Sequence, residues 1–124
     1  MQQTIYVVDD DEAVRDSARA VLESHLFDVE DFESGTAFLE RCRADGLQGC
    51  VVLDINMPDL DGFGVLRQLD APKAGLPVVV ITARADSTTE ARVRAAGATW
   101  LVEKPFAGEQ LVAAVRRAMD SGTP

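Results

Sequence analysis

The chain has 124 residues, the length of one ordinary domain, and its 47% hydrophobic and 27% charged content is near the globular average, so neither a disordered tail nor a fibre fits. Its 21 acids against 12 Lys and Arg give a net charge of −9. That sign argues against direct nucleic-acid binding, because affinity for a phosphate backbone comes mainly from neutralising it. No basic region precedes a long apolar stretch and no apolar run approaches the length of a membrane span, so the expected location is the cytoplasm, without a membrane contact.

Ile5-Tyr6-Val7-Val8 is a short run rich in β-branched residues that stops at Asp9, Asp10 and Asp11. It reads as a buried strand with acids where the strand ends. Val14, Ala18, Val21 and Leu22 then recur at helical spacing, predicting an amphipathic helix over 11–24 whose acidic start suits the helix dipole. His25, the only histidine, falls at the end of that helix, where it complements the dipole rather than acting as a base. The stretch 28–32 predicts a weak strand, and Ser34 a cap for a helix carrying Phe38, Leu39 and Cys42. Cys42 and Cys50 lack the CxxC or His spacing that zinc requires, and read as small buried hydrophobes in a reducing compartment.

Val51-Val52-Leu53 leads into Asp54, and a loop with Pro58 and Gly62 precedes a helix through Leu66 and Leu69. The loop is no EF-hand, because Pro58 and Asp59 stand where a calcium ligand and a glycine are needed. Pro77 opens the strand Val78-Val79-Val80-Ile81, which ends at Thr82. A helix is predicted over 86–96, stopped by Gly97; beyond Val93 and alanines it has little to bury. A strand over 99–103 runs into Lys104-Pro105, and a helix over 107–119 sets Leu111, Val115, Ala118 and Met119 on one face. Trp100 and Phe106 read as packing residues. The domain is expected to span 1–120, with 121–124 of linker composition.

Five strands alternating with five helices predict an α/β fold, a doubly wound (βα)5 unit with a five-stranded parallel sheet covered on both faces. In such a sheet ligands bind outside the carboxyl ends of the strands. Those ends carry Asp9, Asp10, Asp54, Thr82 and Lys104. Two unit charges about 4 Å apart repel by about 4 kcal/mol at an effective dielectric of about 20, so three carboxylates in one crevice must protonate, pair with a cation or bind a metal. A solvated acidic rim would account for Asp9 and Asp10 alone, but not for the whole set. Oxygen-only ligands select a hard ion, and availability favours Mg²⁺. With Lys104 and Thr82 added, the crevice suits a tetrahedral dianion. Neither GxGxxG nor a P-loop occurs, and the acidic first loop would repel a nucleotide. The anion is therefore expected to be small and delivered covalently to Asp54, a carboxylate nucleophile that would form an acyl phosphate.

VVDDDEAVR at the first strand end, VLDINMPDLDGFGVL around Asp54, VVVITARAD at the fourth strand and VEKPF at the fifth resemble the response-regulator receiver domain of two-component systems, and within it the FixJ-type branch. The resemblance covers essentially the whole chain. It implies the flavodoxin-like receiver fold, Asp54 as phosphoacceptor, and an Mg²⁺ held by Asp9, Asp10, Asp54 and the main-chain carbonyl of Asn56. Asp10 would be the more direct ligand, with Asp9 acting largely through water. It also implies that Thr82 holds a phosphoryl oxygen, that Lys104 pairs with the phosphoryl group, and that Lys104–Pro105 is cis. The implied donor is a sensor histidine kinase, and the implied role is signalling rather than enzymatic turnover.

The family usually carries Tyr or Phe three residues before the lysine, where its rotamer couples phosphorylation to the outer face. Here that position is Leu101. Trp100, one residue earlier, points to the opposite face and cannot replace it. The expected output surface is the fourth helix, fifth strand and fifth helix, with Arg92, Arg94 and Glu103 pairing across a phosphorylation-dependent homodimer. A DNA-binding output domain beyond Pro124 is expected from the resemblance; the alternative is a single-domain regulator acting by contact. Two rivals come from other classes. A phosphatase of the haloacid-dehalogenase type also uses an Asp nucleophile, yet needs an acid where Asn56 stands. A flavodoxin-like electron carrier shares the architecture, yet the acids would oppose the FMN phosphate.

Overall fold

The computed structural model describes residues 3–44, 47–69 and 75–121. Strand β1 (Thr4–Val8) leads to helix α1 (Glu12–Ser24), β2 (Asp28–Phe32) to α2 (Gly35–Ala44), and β3 (Gly49–Asp54) to α3 (Gly62–Leu69). Then follow β4 (Val78–Thr82), α4 (Ser87–Ala95), β5 (Trp100–Glu103) and α5 (Gly108–Ser121). All pairings are parallel and the strand order is β2-β1-β3-β4-β5. This is the doubly wound (βα)5 arrangement that the alternating periods predict. The order reverses between β1 and β3, which places a crevice over the ends of those two strands.

Alternation along each strand divides the core. Ile5, Val7, Cys50, Val52, Val79, Ile81 and Val102 face α1 and α5. Tyr6, Val8, Val51, Leu53, Val78 and Val80 face the other way, toward α2, α3 and α4. A strand buried on both faces must be apolar at every position, which is why β3 and β4 read as unbroken runs rather than as alternations. Leu101 packs with the α2–α4 side and Val102 with the α1–α5 side, as the expected alternation requires.

The helix starts follow their caps. The Asp11 side chain accepts from Ala13 N–H, Ser34 Oγ from Ala37 N–H at 3.1 Å, and Asp86 from Thr89 N–H at 2.8 Å. The His25 backbone caps the end of α1, and its Nδ1 lies 2.9 Å from the Val21 carbonyl, in keeping with a role at the helix end. Boundaries shift by one or two residues: β3 starts at Gly49 rather than Val51, and β5 at Trp100 rather than Thr99. Helix α5 runs on to Ser121, which takes the first of the expected linker residues 121–124 into the helix, and 122–124 lie outside the described residues. Among the described residues no helix is long and apolar enough to cross a membrane.

Trp100 is the one expected packing residue that the structure places elsewhere. It is 39% exposed, with the Arg117 guanidinium 5.6 Å from its ring. Strand β5 is an edge strand, so a side chain at its first residue has helix on only part of its surroundings. Phe106 does pack, partly buried against the α1–α5 core.

Gly62 fixes how closely α3 approaches the end of β3. Its N–H donates to the Ile55 carbonyl at 3.2 Å. A Cβ there would meet Ile55 Cα at 2.5 Å and the Asp54 carbonyl at 2.9 Å. Those are backbone atoms that cannot rotate away. Gly62→Ala is therefore expected to cost about 1–3 kcal/mol, read as a lower urea midpoint at unchanged slope. A midpoint equal to wild type would show that α3 can ride outward freely.

Candidate functional site

At the end of β1 the chain leaves the sheet through two acids of opposite exposure. Asp9 is fully buried and Asp10 exposed. The Asp9 N–H still pairs with Phe32 O at 3.1 Å, while its Oδ1 accepts from Asp11 N–H at 2.9 Å. Oδ2 is buried without a well-aligned hydrogen bond; it meets the Lys104 ammonium as an ion pair, with Nζ 3.0 Å away. The Arg15 guanidinium, one turn into α1, donates to the Asp9 carbonyl at 2.7 Å.

Asp54 ends β3, with only 2% of its surface exposed. Its Oδ1 accepts from Asn56 N–H at 3.0 Å, and its Oδ2 lies 3.4 Å from Lys104 Nζ. One ammonium thus bridges two buried carboxylates, from a residue whose N–H donates to Thr82 O at 2.7 Å; the Lys104–Pro105 peptide is cis. Thr82, also buried, receives Arg84 N–H on its hydroxyl at 3.1 Å, and Asn56 Nδ2 lies 3.5 Å from that oxygen. Carboxylate oxygens of Asp9, Asp10 and Asp54 lie within 4.8 Å of one another.

Burial pushes the Asp54 carboxyl up to about 6, and the charge of Asp9 adds to the rise; Asn56 N–H and Lys104 hold it back. For Lys104, burial works to lower the pKa, but its close ion pair with Asp9 and the charge of Asp54 raise it overall. One lysine cannot neutralise three carboxylates. A buried carboxylate oxygen lacking a well-aligned donor, two further acids and no nitrogen or sulfur ligand together suit a hard divalent cation. The donor set therefore fits Mg²⁺.

Asp9, Asp10, Asp54, Asn56, Thr82 and Lys104, all selected from the sequence, converge on this crevice. Sequence reasoning passes over Arg15, whose only signal is its place one turn beyond the acids. Two of the three side chains expected to pair between copies have contacts within the chain. Arg92 lies over the Phe63 ring at 4.1 Å, and Glu103 Oε2 accepts from Ala85 N–H at 3.0 Å. Leu101 lines a cleft of about 440 Å³ between α4 and β5, together with Val93, Ala98 and Trp100.

The family model for the response regulator receiver domain matches residues 5–116. The transcriptional regulatory protein FixJ of Bradyrhizobium diazoefficiens is 37% identical over 121 residues, 97% of this chain and 58% of that protein. The response regulator MprA of Mycolicibacterium vanbaalenii is 44% identical over 126 residues, 100% of this chain and 53% of that protein. The chain thus spans little more than half the length of these curated relatives. Among solved structures, the BeF3-activated DrrB receiver domain superposes with a TM-score of 0.85 at 31% identity, covering 97% of this chain and 99% of that one.

Proposed function

This chain belongs to the response regulator receiver domain family of two-component systems, and we propose that it takes a phosphoryl group from a sensor histidine kinase onto Asp54. The observation that carries this reading is the environment of Asp54: a carboxylate buried at a strand end, 3.4 Å from an ammonium and grouped with two further acids. A carboxylate oxygen attacks phosphorus, the phosphorus–nitrogen bond to the donor imidazole breaks, and the imidazole leaves with its electron pair. Asp9, Asp10, Asp54 and the Asn56 carbonyl would hold an Mg²⁺, which would supply charge neutralisation for the transferring group. Lys104 adds a second cation to the phosphoryl oxygens, and the Thr82 hydroxyl donates to one of them.

The product is an acyl phosphate whose role is to re-poise a surface, not to turn over a substrate. Asn56 stands where a phosphatase of related chemistry would need a general acid–base, and an amide cannot exchange a proton in that role. The receiver unit is the expected 1–120 together with Ser121, which α5 takes in. Its output surface lies on α4, β5 and α5, where it can engage a second copy. This chain covers 58% of FixJ, which is named as a transcriptional regulatory protein, and 53% of the response regulator MprA, in keeping with a DNA-binding output domain following the receiver; this acidic unit does not itself contact nucleic acid.

Incubation with Mg²⁺ and a small phosphodonor should add one phosphoryl group per chain, released by hydroxylamine as acyl phosphates are. Chelating the metal should prevent the labelling. Label that resists hydroxylamine would overturn the assignment, and steady release of phosphate from a small phosphomonoester would favour the phosphatase.

A further inference from the structure

The loop between β4 and α4 is tied down at two successive amides. Arg84 N–H donates to Thr82 Oγ1 at 3.1 Å, and that hydroxyl lies 3.3 Å from the Arg84 carbonyl, in position to donate to it. Ala85 N–H donates to Glu103 Oε2 at 3.0 Å. Thr82 and Glu103 are register partners across β4 and β5, so Glu103 reaches the loop from a position fixed by the sheet. Beyond the loop the hold is light. Val93 is the buried residue of α4, and Arg92 adds its stacking on Phe63 at 4.1 Å.

A threonine hydroxyl has one hydrogen to donate. Given to a phosphoryl oxygen on Asp54, it is withdrawn from the Arg84 carbonyl, and the 83–86 loop must move with Thr82 because the chain is continuous. The bond from Ala85 to Glu103 opposes that movement, since its acceptor stays with β5. We propose that Glu103 is a positioning residue for the phosphoryl switch: its carboxylate holds the 83–86 loop in the resting arrangement and so sets how readily Thr82 reaches an occupied Asp54. This role rests on Asp54 being the phosphoacceptor. It assigns to a carboxylate on β5 part of the coupling that Leu101, lacking a ring, is poorly shaped to supply.

A contact made in only one of two states shifts their equilibrium by its own free energy. For one exposed hydrogen bond to an ionised acceptor that is about three- to tenfold. The test is calorimetric titration of the full chain with beryllofluoride and Mg²⁺, beside hydrogen exchange of the Ala85 amide. Glu103→Ala is expected to bind beryllofluoride about three- to tenfold tighter than wild type, with faster exchange at Ala85 and little change in urea midpoint. Glu103→Gln retains an oxygen acceptor but loses the charge, and is expected to bind close to wild type. Equal tightening in both variants would trace the effect to removal of a negative charge beside an anion, and would overturn the proposal. Unchanged affinity in Glu103→Ala would overturn it as well. A wild-type protein that protects Ala85 yet fails to bind beryllofluoride would overturn the assignment of Asp54, and this role with it.

Discussion

Asp54→Asn is expected to take no phosphoryl group at all, and at neutral pH to be more stable than the wild type. The first effect follows from chemistry, because an amide oxygen is too poor a nucleophile to form the acyl phosphate. The second follows from burial. The Asp54 carboxyl is raised from 3.8 to about 6, so the folded state binds its proton more tightly than the unfolded chain does. The stability tied to that proton is complete below about pH 4 and is lost as pH rises through about 6. A rise of that size corresponds to as much as about 3 kcal/mol. The asparagine carries no such charge, its amide oxygen can still accept Asn56 N–H, and Lys104 keeps Asp9 at 3.0 Å. Urea midpoints of the two proteins without metal, compared between about pH 4 and 8, should therefore diverge as pH rises, with the variant on top. The difference isolates Asp54 from the other acids. Parallel curves would mean that Lys104 already neutralises Asp54 in full.

Mg²⁺ should reverse that loss. An ion that binds only the folded state adds about 2.7 kcal/mol at a hundredfold excess over its dissociation constant. Its positive charge beside Asp54 should also bring that carboxyl back down, offsetting the burial and the Asp9 charge that raise it. Asp10 is the acid to remove as a test. It is exposed, whereas Asp9 is buried against Lys104, and taking Asp9 away would strip the ammonium of its nearer partner. Asp10→Asn should be slightly more stable than wild type without metal, having one like charge fewer, and should lose the Mg²⁺-induced rise in melting temperature. An unchanged rise in that variant would place the ion elsewhere.

Much of the fold and of its working end is legible in the chain itself. The change from β-branched runs to helical spacing identifies β1, β3 and β4 and the amphipathic α1 and α5, because both periods arise from local backbone geometry. The acids, the hydroxyl and the lysine can be singled out because each stands where a strand stops, and the fold brings those ends together. Gly49 escapes a strand assignment because glycine carries no apolar signal; its pairing with Thr4 in β1 places it in β3.

Other features depend on what lies beside a residue in space, and periodicity does not record that. Asp9 and Asp10 are adjacent and chemically alike, yet one is sealed under Lys104 and the other open, because consecutive residues leaving a strand point in opposite directions. Strand order puts β5 at the edge of the sheet and leaves Trp100 half in solvent. Parallel register sets Glu103 beside Thr82, within reach of Ala85, and the packing of α3 brings Phe63 under Arg92. Residue order alone thus carries the kind of fold and the chemical groups at its working end. Which carboxylate is buried, which lysine contact is short and which side chains hold α4 come only from the folded arrangement, since strand order and register arise from contacts between residues distant in the chain.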